Sequence, residues 1–237
     1  MNLTGQAVDA VRRVFVKTPF QVAAAVLRGR ARVFHPRGLV ATGQIEFDSP
    51  WWTLSPGRRM DVVARLSGGV GTPPGMPDVL GLALKIPLDS PDTEWDLLLA
   101  TSGTSTVTRI LPLPATGWAG ARYSSLMPYS SRGTDIRWVL TEPIGPQPET
   151  TTLEALRQAI AEAPLRFRLH LVSWAGPPVP AGTVTLTQVR DTPDDEHPVF
   201  DPVLHRPPEL ALRPEWLAGV RVGAYRGSRH GRGAPAV

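Results

Sequence analysis

The chain has 237 residues, of which 42% are hydrophobic, and this is enough for one folded domain with a sizeable core. It contains no cysteine, which excludes disulfide bonds, iron–sulfur clusters and cysteine nucleophiles. The net charge of +4 and the pI of about 10.1 come almost entirely from arginines that are scattered along the chain, which disfavours a nucleic-acid-binding face.

The N-terminal residues have the apolar spacing of an amphipathic helix, with Val8 and Val11 about one turn apart. Arg12 and Arg13 resemble a twin-arginine export signal, but the apolar stretch that follows them is short. No apolar run in the sequence reaches the length of a membrane span. We therefore expect residues 1–29 to form a helical arm, and we expect a cytoplasmic protein without a membrane span.

Short segments rich in Val, Leu and Ile and bounded by turn residues predict a series of strands. They are found at 31–47, 60–67, 79–88, 95–101, 104–111, 134–140, 165–175 and 182–190. The clearest helix runs from Thr152 to Ala163, because a threonine can cap it and Pro164 stops it. Residues 191–214 are rich in Pro and Asp and predict an ordered loop, which is followed by a last helix at 215–228.

These elements define the expected fold class, which is α+β but mainly β. Many strands at modest spacing favour an antiparallel β-barrel with a few appended helices. The 22 glycines and 26 prolines agree with many connections and few helices. We expect a single barrel domain over residues 30–233 and a frayed tail at 234–237.

A tyrosine near the C-terminus, Tyr225, has Arg221 four residues before it. Residues at this spacing lie on one face of a helix, where a positive charge favours the phenolate form of tyrosine. A tyrosinate is one of the few axial ligands that proteins use for haem iron. His35 is a second candidate, because a neutral imidazole near pH 7 can accept a proton and return it.

Several motifs occur in the order in which the haem catalase superfamily has them. They are R-x-x-H-x-x-G at 32–38, R-[FL]-S at 65–67, D-x-x-G-x-A-x-K at 78–85, W-D-L at 95–97, F-[DN]-P at 200–202 and R-x-x-x-Y-x-x-[ST]-x-x-x-R at 221–232. The chain therefore resembles this superfamily from about residue 28 to residue 233, in the form of a minimal catalase core or catalase-related peroxidase, with allene oxide synthases as relatives. The resemblance implies a catalase-like antiparallel β-barrel that holds haem b (iron protoporphyrin IX).

The resemblance also implies roles for individual residues. Tyr225 would be the proximal iron ligand, supported by Arg221, and His35 would be the distal acid and base. Ser67 would form a hydrogen bond with the distal histidine and so fix its tautomer. Three arginines would bind the haem propionates: Arg32, Arg65 and Arg232. Arg65 and Ser67 are two residues apart, so they share one face of their strand.

One expected distal residue is missing. Catalases place an asparagine after the W-D-L strand to orient the peroxide, whereas the only asparagine of this chain is Asn2. Thr101 or Ser102 could donate one hydrogen bond instead, although a hydroxyl is shorter than a carboxamide. Small and aliphatic residues from Thr104 to Pro114 replace the aromatic run of the family. We therefore expect a roomier pocket and weak dismutation of hydrogen peroxide.

These residues predict a haem-dependent peroxidase or catalase-related oxidoreductase that cleaves hydrogen peroxide or organic hydroperoxides and uses an external electron donor. A hydroperoxide-rearranging or specialised biosynthetic enzyme of the allene oxide synthase type is one alternative, and a non-catalytic haem- or lipid-binding barrel is another. The resemblance also allows a homo-oligomer, and no nucleic acid is expected as a partner. The other histidines lack metal-ligand spacing and are interpreted as structural or exposed: His170, His197, His205 and His230.

Overall fold

The structure, a computed structural model, describes residues 38–48, 56–68, 72, 76–88, 93–131, 135–193 and 196–214. The strands are β1 (Gly38–Phe47), β2 (Arg59–Gly68), β3 (Leu80–Pro87), β4 (Glu94–Thr101), β5 (Tyr123–Ser124), β6 (Tyr129–Ser131), β7 (Asp135–Ile144), β8 (Leu165–Val172), β9 (Val179–Arg190) and β10 (Leu210–Leu212). Among the described residues there is one α-helix, α1 (Leu153–Glu162), between β7 and β8, and a short 3₁₀ helix (Thr108–Ile110) after β4.

Eight of the described strands form a closed antiparallel barrel. Pairing runs from β1 through β2, β3, β4, β5, β7, β8 and β9 and returns to β1. β6 and β10 pair outside this ring and extend the sheet from β7. The prediction of a mainly β protein with an antiparallel barrel is therefore confirmed.

Side chains fill the interior of the barrel. Successive side chains of a strand point to opposite faces, and the inward ones are almost completely buried, as shown by Leu66, Leu82, Leu97 and Phe167, which are 0–1% exposed. The interior of an eight-stranded barrel is just wide enough for side chains to fill it. A ligand of ordinary size would therefore bind outside the ring of strands.

Helix α1 packs on the barrel next to β9, β1 and β2. Oγ1 of Thr152 accepts a hydrogen bond from the backbone N–H of Ala155 and caps the helix. Leu156 and Ile160 are buried in the same cluster as the barrel core, and Pro164 follows the end of the helix. The predicted helix is confirmed. No helix in the described part of the chain is long and apolar enough to cross a membrane.

The strand predictions agree with the structure for β2, β3, β4, β7, β8 and β9. The predicted strand at 104–111 is wrong, because these residues form turns and the 3₁₀ helix. Ser105 and Thr108 close this turn, since each side chain accepts a hydrogen bond from the backbone N–H of the other. The predicted helices at 1–29 and 215–228 lie outside the described residues.

Candidate functional site

Arg65 and Ser67 lie on the outer face of β2, as their spacing predicts. The residue between them, Leu66, is buried in the barrel interior. Ser67 is only 4% exposed and Arg65 is half-buried. In the strand register Ser67 pairs with Gly38 on β1 and with Gly81 on β3. The hydroxyl is therefore flanked by residues without side chains.

Among the described residues, His197 and Gly38 lie against the guanidinium of Arg65. Its Nε donates a hydrogen bond to Nδ1 of His197 at 3.3 Å. Nε2 of His197 is 3.0 Å from the carbonyl oxygen of Thr192, and it must donate because a carbonyl can only accept. In this arrangement Nδ1 of His197 accepts a hydrogen bond and Nε2 donates one. A Cβ at Gly38 would lie 2.6 Å from the guanidinium carbon, so a larger residue would displace this group.

Thr101 lies on the opposite face of the sheet from Ser67. Its strand partner is Tyr123, and both side chains are buried. The Thr101 hydroxyl accepts a hydrogen bond from the backbone N–H of Leu80 at 3.0 Å and donates one to the carbonyl oxygen of Leu113 at 2.7 Å. The structure therefore does not bring Thr101 together with the Arg65 and Ser67 side chains.

The register places Ala100 on the face of Ser67 instead. Ser67 pairs with Gly81, which in turn pairs with Ala100. Neighbouring strands are about 4.8 Å apart, so the Cα atoms of Ser67 and Ala100 are separated by about 10 Å. Ser102, two residues further on, donates its hydroxyl to the carbonyl oxygen of Gly103 at 3.0 Å. Ala100, two strands away from Ser67, therefore presents a methyl group on this face and no side-chain hydrogen-bond donor.

A charged cluster joins β3, β4 and the loop after β9. Nζ of Lys85 lies 2.7 Å from Oε2 of Glu94 and 2.9 Å from Oδ1 of Asp96. Nδ1 of His205 lies 2.8 Å from Oδ2 of Asp96. Asp96 is completely buried, so its charge depends on these partners. Lys85 and Asp96 belong to two of the sequence motifs, whereas the participation of His205 was not predicted.

The loop that carries His205 is attached to the barrel through Asp96. The backbone N–H of Asp201 donates to Oδ2 of Asp96 at 2.7 Å, and the backbone N–H of Asp96 donates to the carbonyl oxygen of His205 at 2.9 Å. Oδ1 of Asp201 accepts hydrogen bonds from the N–H groups of Val203 and Leu204, both at 3.1 Å. This side-chain-to-backbone pattern fixes the turn at the start of the loop.

Electrostatics keep Lys85 charged. Burial lowers its pKa, but hydrogen bonds and opposite charges from Glu94 and Asp96 outweigh burial and raise the pKa above its ordinary value. The ammonium group also lies 5.5 Å from the ring centroid of Phe200. Glu94, Asp96 and His205 are close enough together to hold a metal ion, but the Lys85 ammonium already supplies the positive charge between the two carboxylates. The cluster is therefore best described as an internal ion-pair network.

A surface groove of about 560 Å³ lies on the outer face of the barrel beside this network. It runs over β1, β2, β3, β4 and β9, and its lining includes Gln44, Asp61, Lys85 and Glu94. Because side chains fill the barrel interior, the outer face offers the space in which the described part of the molecule can accept a ligand.

Five of the predicted site residues lie outside the described residues: Arg32, His35, Arg221, Tyr225 and Arg232. Of the remaining three, the structure brings Arg65 and Ser67 together on one face and places Thr101 on the other. The roles assigned to these residues remain predictions.

The described part of the chain is thus a closed eight-stranded antiparallel β-barrel with an arginine–serine pair and an ion-pair network on its outer side. No family model matches the chain, and no curated protein matches its sequence. A function for this barrel therefore rests on the sequence motifs and on the geometry of these residues.

Proposed function

We propose that this protein is a haem-dependent peroxidase of the catalase-like type. It would cleave hydrogen peroxide or an organic hydroperoxide and take electrons from an external donor. The antiparallel barrel supports this proposal because it is the architecture that the motif resemblance implies. A closed barrel alone hosts many functions, so the stronger support comes from contacts between the motif residues.

The meeting of three motif segments at Asp96 carries the proposal. Lys85 ends the D-x-x-G-x-A-x-K segment, Asp96 is the centre of W-D-L, and Asp201 is the centre of F-[DN]-P. Lys85 and Asp201 lie 11 and 105 residues from Asp96, yet both contact its buried carboxylate. Motif matches that arose by chance are not expected to contact the same carboxylate. The shared contact therefore supports the resemblance from which haem chemistry is inferred.

The described residues fit a haem group in two respects. Arg65 supplies a guanidinium, whose planar fork suits a propionate carboxylate. Ser67 supplies a buried hydroxyl on the same face, between Gly38, over which the guanidinium of Arg65 lies, and Gly81, which has no side chain.

When bound, haem would supply the iron redox chemistry that splits the O–O bond of a peroxide. Tyr225 would ligate the iron, and the positive charge of Arg221 would stabilise its phenolate. The propionates would be bound by three arginines: Arg32, Arg65 and Arg232.

His35 would transfer the proton that the reaction requires. It would accept a proton from the near oxygen of the peroxide and return it to the leaving oxygen. A hydrogen bond to Ser67 would fix which ring nitrogen carries the proton. With two electrons and two protons, a hydroperoxide would yield one alcohol and one water, and hydrogen peroxide would yield two waters, while the donor is oxidised by two electrons.

Dismutation of hydrogen peroxide would be weak. In the direction of β3 and β4, the neighbours of Ser67 on its face are Gly81 and Ala100, which cannot donate hydrogen bonds from side chains. The Thr101 hydroxyl is used by backbone groups on the other face. A second peroxide molecule would therefore lack a donor that orients it.

The same observation favours a second candidate function, the rearrangement of a larger hydroperoxide as in allene oxide synthases. Gly81 and Ala100, which have no side chain beyond a methyl group, suit a bulky substituent better than larger residues would. The products distinguish the two functions, because a peroxidase consumes its electron donor and releases an alcohol, whereas a rearranging enzyme consumes no donor.

The visible absorption spectrum of the purified protein with added haem tests the proposal. We expect a Soret band with high-spin ferric features, and we expect Tyr225→Phe to lose the stable complex. Tyr123→Phe is the matched control, because Tyr123 is buried in the barrel and its hydroxyl has no hydrogen-bond partner among the described residues. A colourless parent protein, or a Tyr225→Phe variant with unchanged haem content and spectrum, would contradict the proposal.

A further inference from the structure

A hydrogen bond joins the buried imidazole of His197 to Arg65 on the outer face of the barrel. Nε of Arg65 donates to Nδ1 of His197 at 3.3 Å. His197 is only 8% exposed, and its other ring nitrogen, Nε2, donates to the carbonyl oxygen of Thr192 at 3.0 Å. Because both ring nitrogens have partners, the imidazole cannot rotate without losing a hydrogen bond. His197 is therefore a fixed acceptor for Arg65.

The guanidinium of Arg65 lies over Gly38 on the neighbouring strand β1. A Cβ at Gly38 would be 2.6 Å from Cζ and Nε of Arg65 and 2.7 Å from Nη2. Gly38 is the strand partner of Ser67, so the guanidinium is turned along β2 toward Ser67. Gly38 is also the last residue of the R-x-x-H-x-x-G motif. The side chain of Arg65 therefore points to the end of the sheet at which this motif joins β1.

The contact with His197 determines which edge of the guanidinium can meet a carboxylate. A guanidinium binds a carboxylate with two hydrogen bonds, either through Nε and one Nη atom or through both Nη atoms. Nε of Arg65 is bonded to His197, so a carboxylate at this arginine would be bound through Nη1 and Nη2. Ordering a long side chain on binding costs conformational entropy. His197 already orders Arg65 before any ligand binds, which reduces this cost.

We propose that His197 is a positioning residue of the haem site, which orients Arg65 so that both Nη atoms face a haem propionate. This inference rests on the proposed haem-dependent function and extends it to the loop after β9. The same loop contacts the carboxylate of Asp96 through Asp201 and His205. It therefore joins the arginine that binds the propionate to the internal ion-pair network.

A merely structural role for His197 would be to hold this loop through Thr192, and it would affect every ligand of the outer face equally. A positioning role concerns carboxylates and requires the Nε–H group of Arg65. Two variants of similar shape separate the roles: the leucine of His197→Leu cannot accept a hydrogen bond, whereas the asparagine of His197→Asn has an oxygen that can accept one from Nε. His170→Leu is the matched control, because His170 is a half-buried histidine on β8.

Titrations with haem and with haem dimethyl ester, followed at the Soret band, test the positioning role. His197→Leu should lower the affinity for haem about tenfold, whereas His197→Asn and His170→Leu should remain within about threefold of the parent, because only the first variant weakens a hydrogen bond between charged groups. The dimethyl ester has no carboxylate, so its affinity should be equal in all four proteins. Unchanged haem affinity in His197→Leu, or an equal loss for haem and for the ester, would overturn the proposal.

Replacement of Arg65 by lysine gives a second test. Lysine has no Nε–H group, so His197→Leu should change the haem affinity of the Arg65→Lys protein by less than about twofold, because the two residues act through one interaction. A tenfold loss in both backgrounds would show that His197 acts through the fold and independently of Arg65. That result would also overturn the proposal.

Exchange of the Arg65 Nε proton with water, measured by nitrogen NMR without haem, separates failure of this inference from failure of the proposed function. The proton should exchange slowly in the parent and in His197→Asn and faster in His197→Leu, and Arg65→Lys identifies its signal by removing it. Fast exchange in a parent protein that binds haem would overturn the inference alone. Slow exchange in a parent protein that binds no haem would overturn the proposed function and, with it, the role of His197 toward a propionate.

Discussion

The buried carboxylate of Asp96 accepts a hydrogen bond from the backbone N–H of Asp201 at 2.7 Å, across 105 residues of the chain. Lys85 and His205 contact the same carboxylate. Because a buried charge is stable only when its partners are present, Asp96 holds the loop after β9 on the barrel. In the sequence this loop precedes the segment with Arg221 and Tyr225.

Replacement of Asp96 by asparagine should lower the free energy of unfolding by about 3 kcal/mol, because Lys85 then keeps a partly buried charge with one carboxylate fewer. The midpoint of urea denaturation measures this change. Asp191→Asn is the control, since Asp191 forms an ion pair with Arg157 but its side chain is 80% exposed. This substitution should cost less than about 1 kcal/mol. Equal costs for the two variants would contradict the importance of the buried carboxylate.

The same network predicts the dependence of stability on alkaline pH. Burial lowers the pKa of Lys85, but Glu94 and Asp96 outweigh it and raise the pKa above the ordinary value of 10.5. A group whose pKa is raised in the folded state contributes stability that is fully present below its pKa in the unfolded state. This stability is lost as the pH rises through its pKa in the folded state. The urea midpoint should therefore fall above about pH 10.5, and it should fall less steeply in Lys85→Met. Parallel declines in both proteins would show that Lys85 is not responsible.

Substitution of Gly38 tests the role of Arg65 while leaving Arg65 and the proposed iron ligand unchanged. An alanine Cβ would lie 2.6 Å from the guanidinium carbon and would displace this group. The affinity for haem should fall on the order of tenfold, because a hydrogen bond between charged groups is weakened. A haem titration followed at the Soret band measures the affinity. Gly120→Ala is the control, since its Cβ meets no atom within 4 Å; affinities that match in the two variants would argue against propionate binding by Arg65.

A hydrogen-bond donor added on the face of Ser67 should change the ratio of hydrogen peroxide dismutation to oxidation of the electron donor. Ala100→Asn should raise oxygen release from hydrogen peroxide, relative to oxidation of the electron donor, by about tenfold. The reason is that a positioned hydrogen-bond donor stabilises the reacting group. An oxygen electrode and a donor assay on the same sample give this ratio. Ala211→Asn makes the same change at a half-buried alanine on β10, outside the barrel ring. If the two variants behave alike, Ala100 does not lie at the peroxide site.

The sequence predicts β2, β3 and β4 because each has eight or more residues with a clear pattern of buried and exposed positions. β5 and β6 have only two and three residues, too few for a period, and they form because β4, β7 and β10 pair with them. At 104–111 the Thr, Val and Ile content favours a strand, but the hydrogen bonds between Ser105 and Thr108 close a turn instead. Local propensity is overridden there by side-chain contacts.

The shared face of Arg65 and Ser67 can be predicted because both residues lie on one strand. The face of Thr101 cannot be predicted in this way, since it depends on the register between strands, and a shift of one residue reverses it. The contact between Arg65 and His197 joins residues 132 positions apart, so no local pattern reports it. Motif matching identified Lys85 and Asp96 but not the contact between Asp96 and His205.

The pairing of β7 with β8 closes the ring, so each of the eight barrel strands has neighbours on both sides. Unpaired strand edges expose N–H and C=O groups that can template aggregation. In the described part of the chain the sheet ends at β10, which has only three residues. The described part of the chain therefore offers little backbone for edge-to-edge growth, and it should contribute little to fibril formation even in concentrated solutions after long storage.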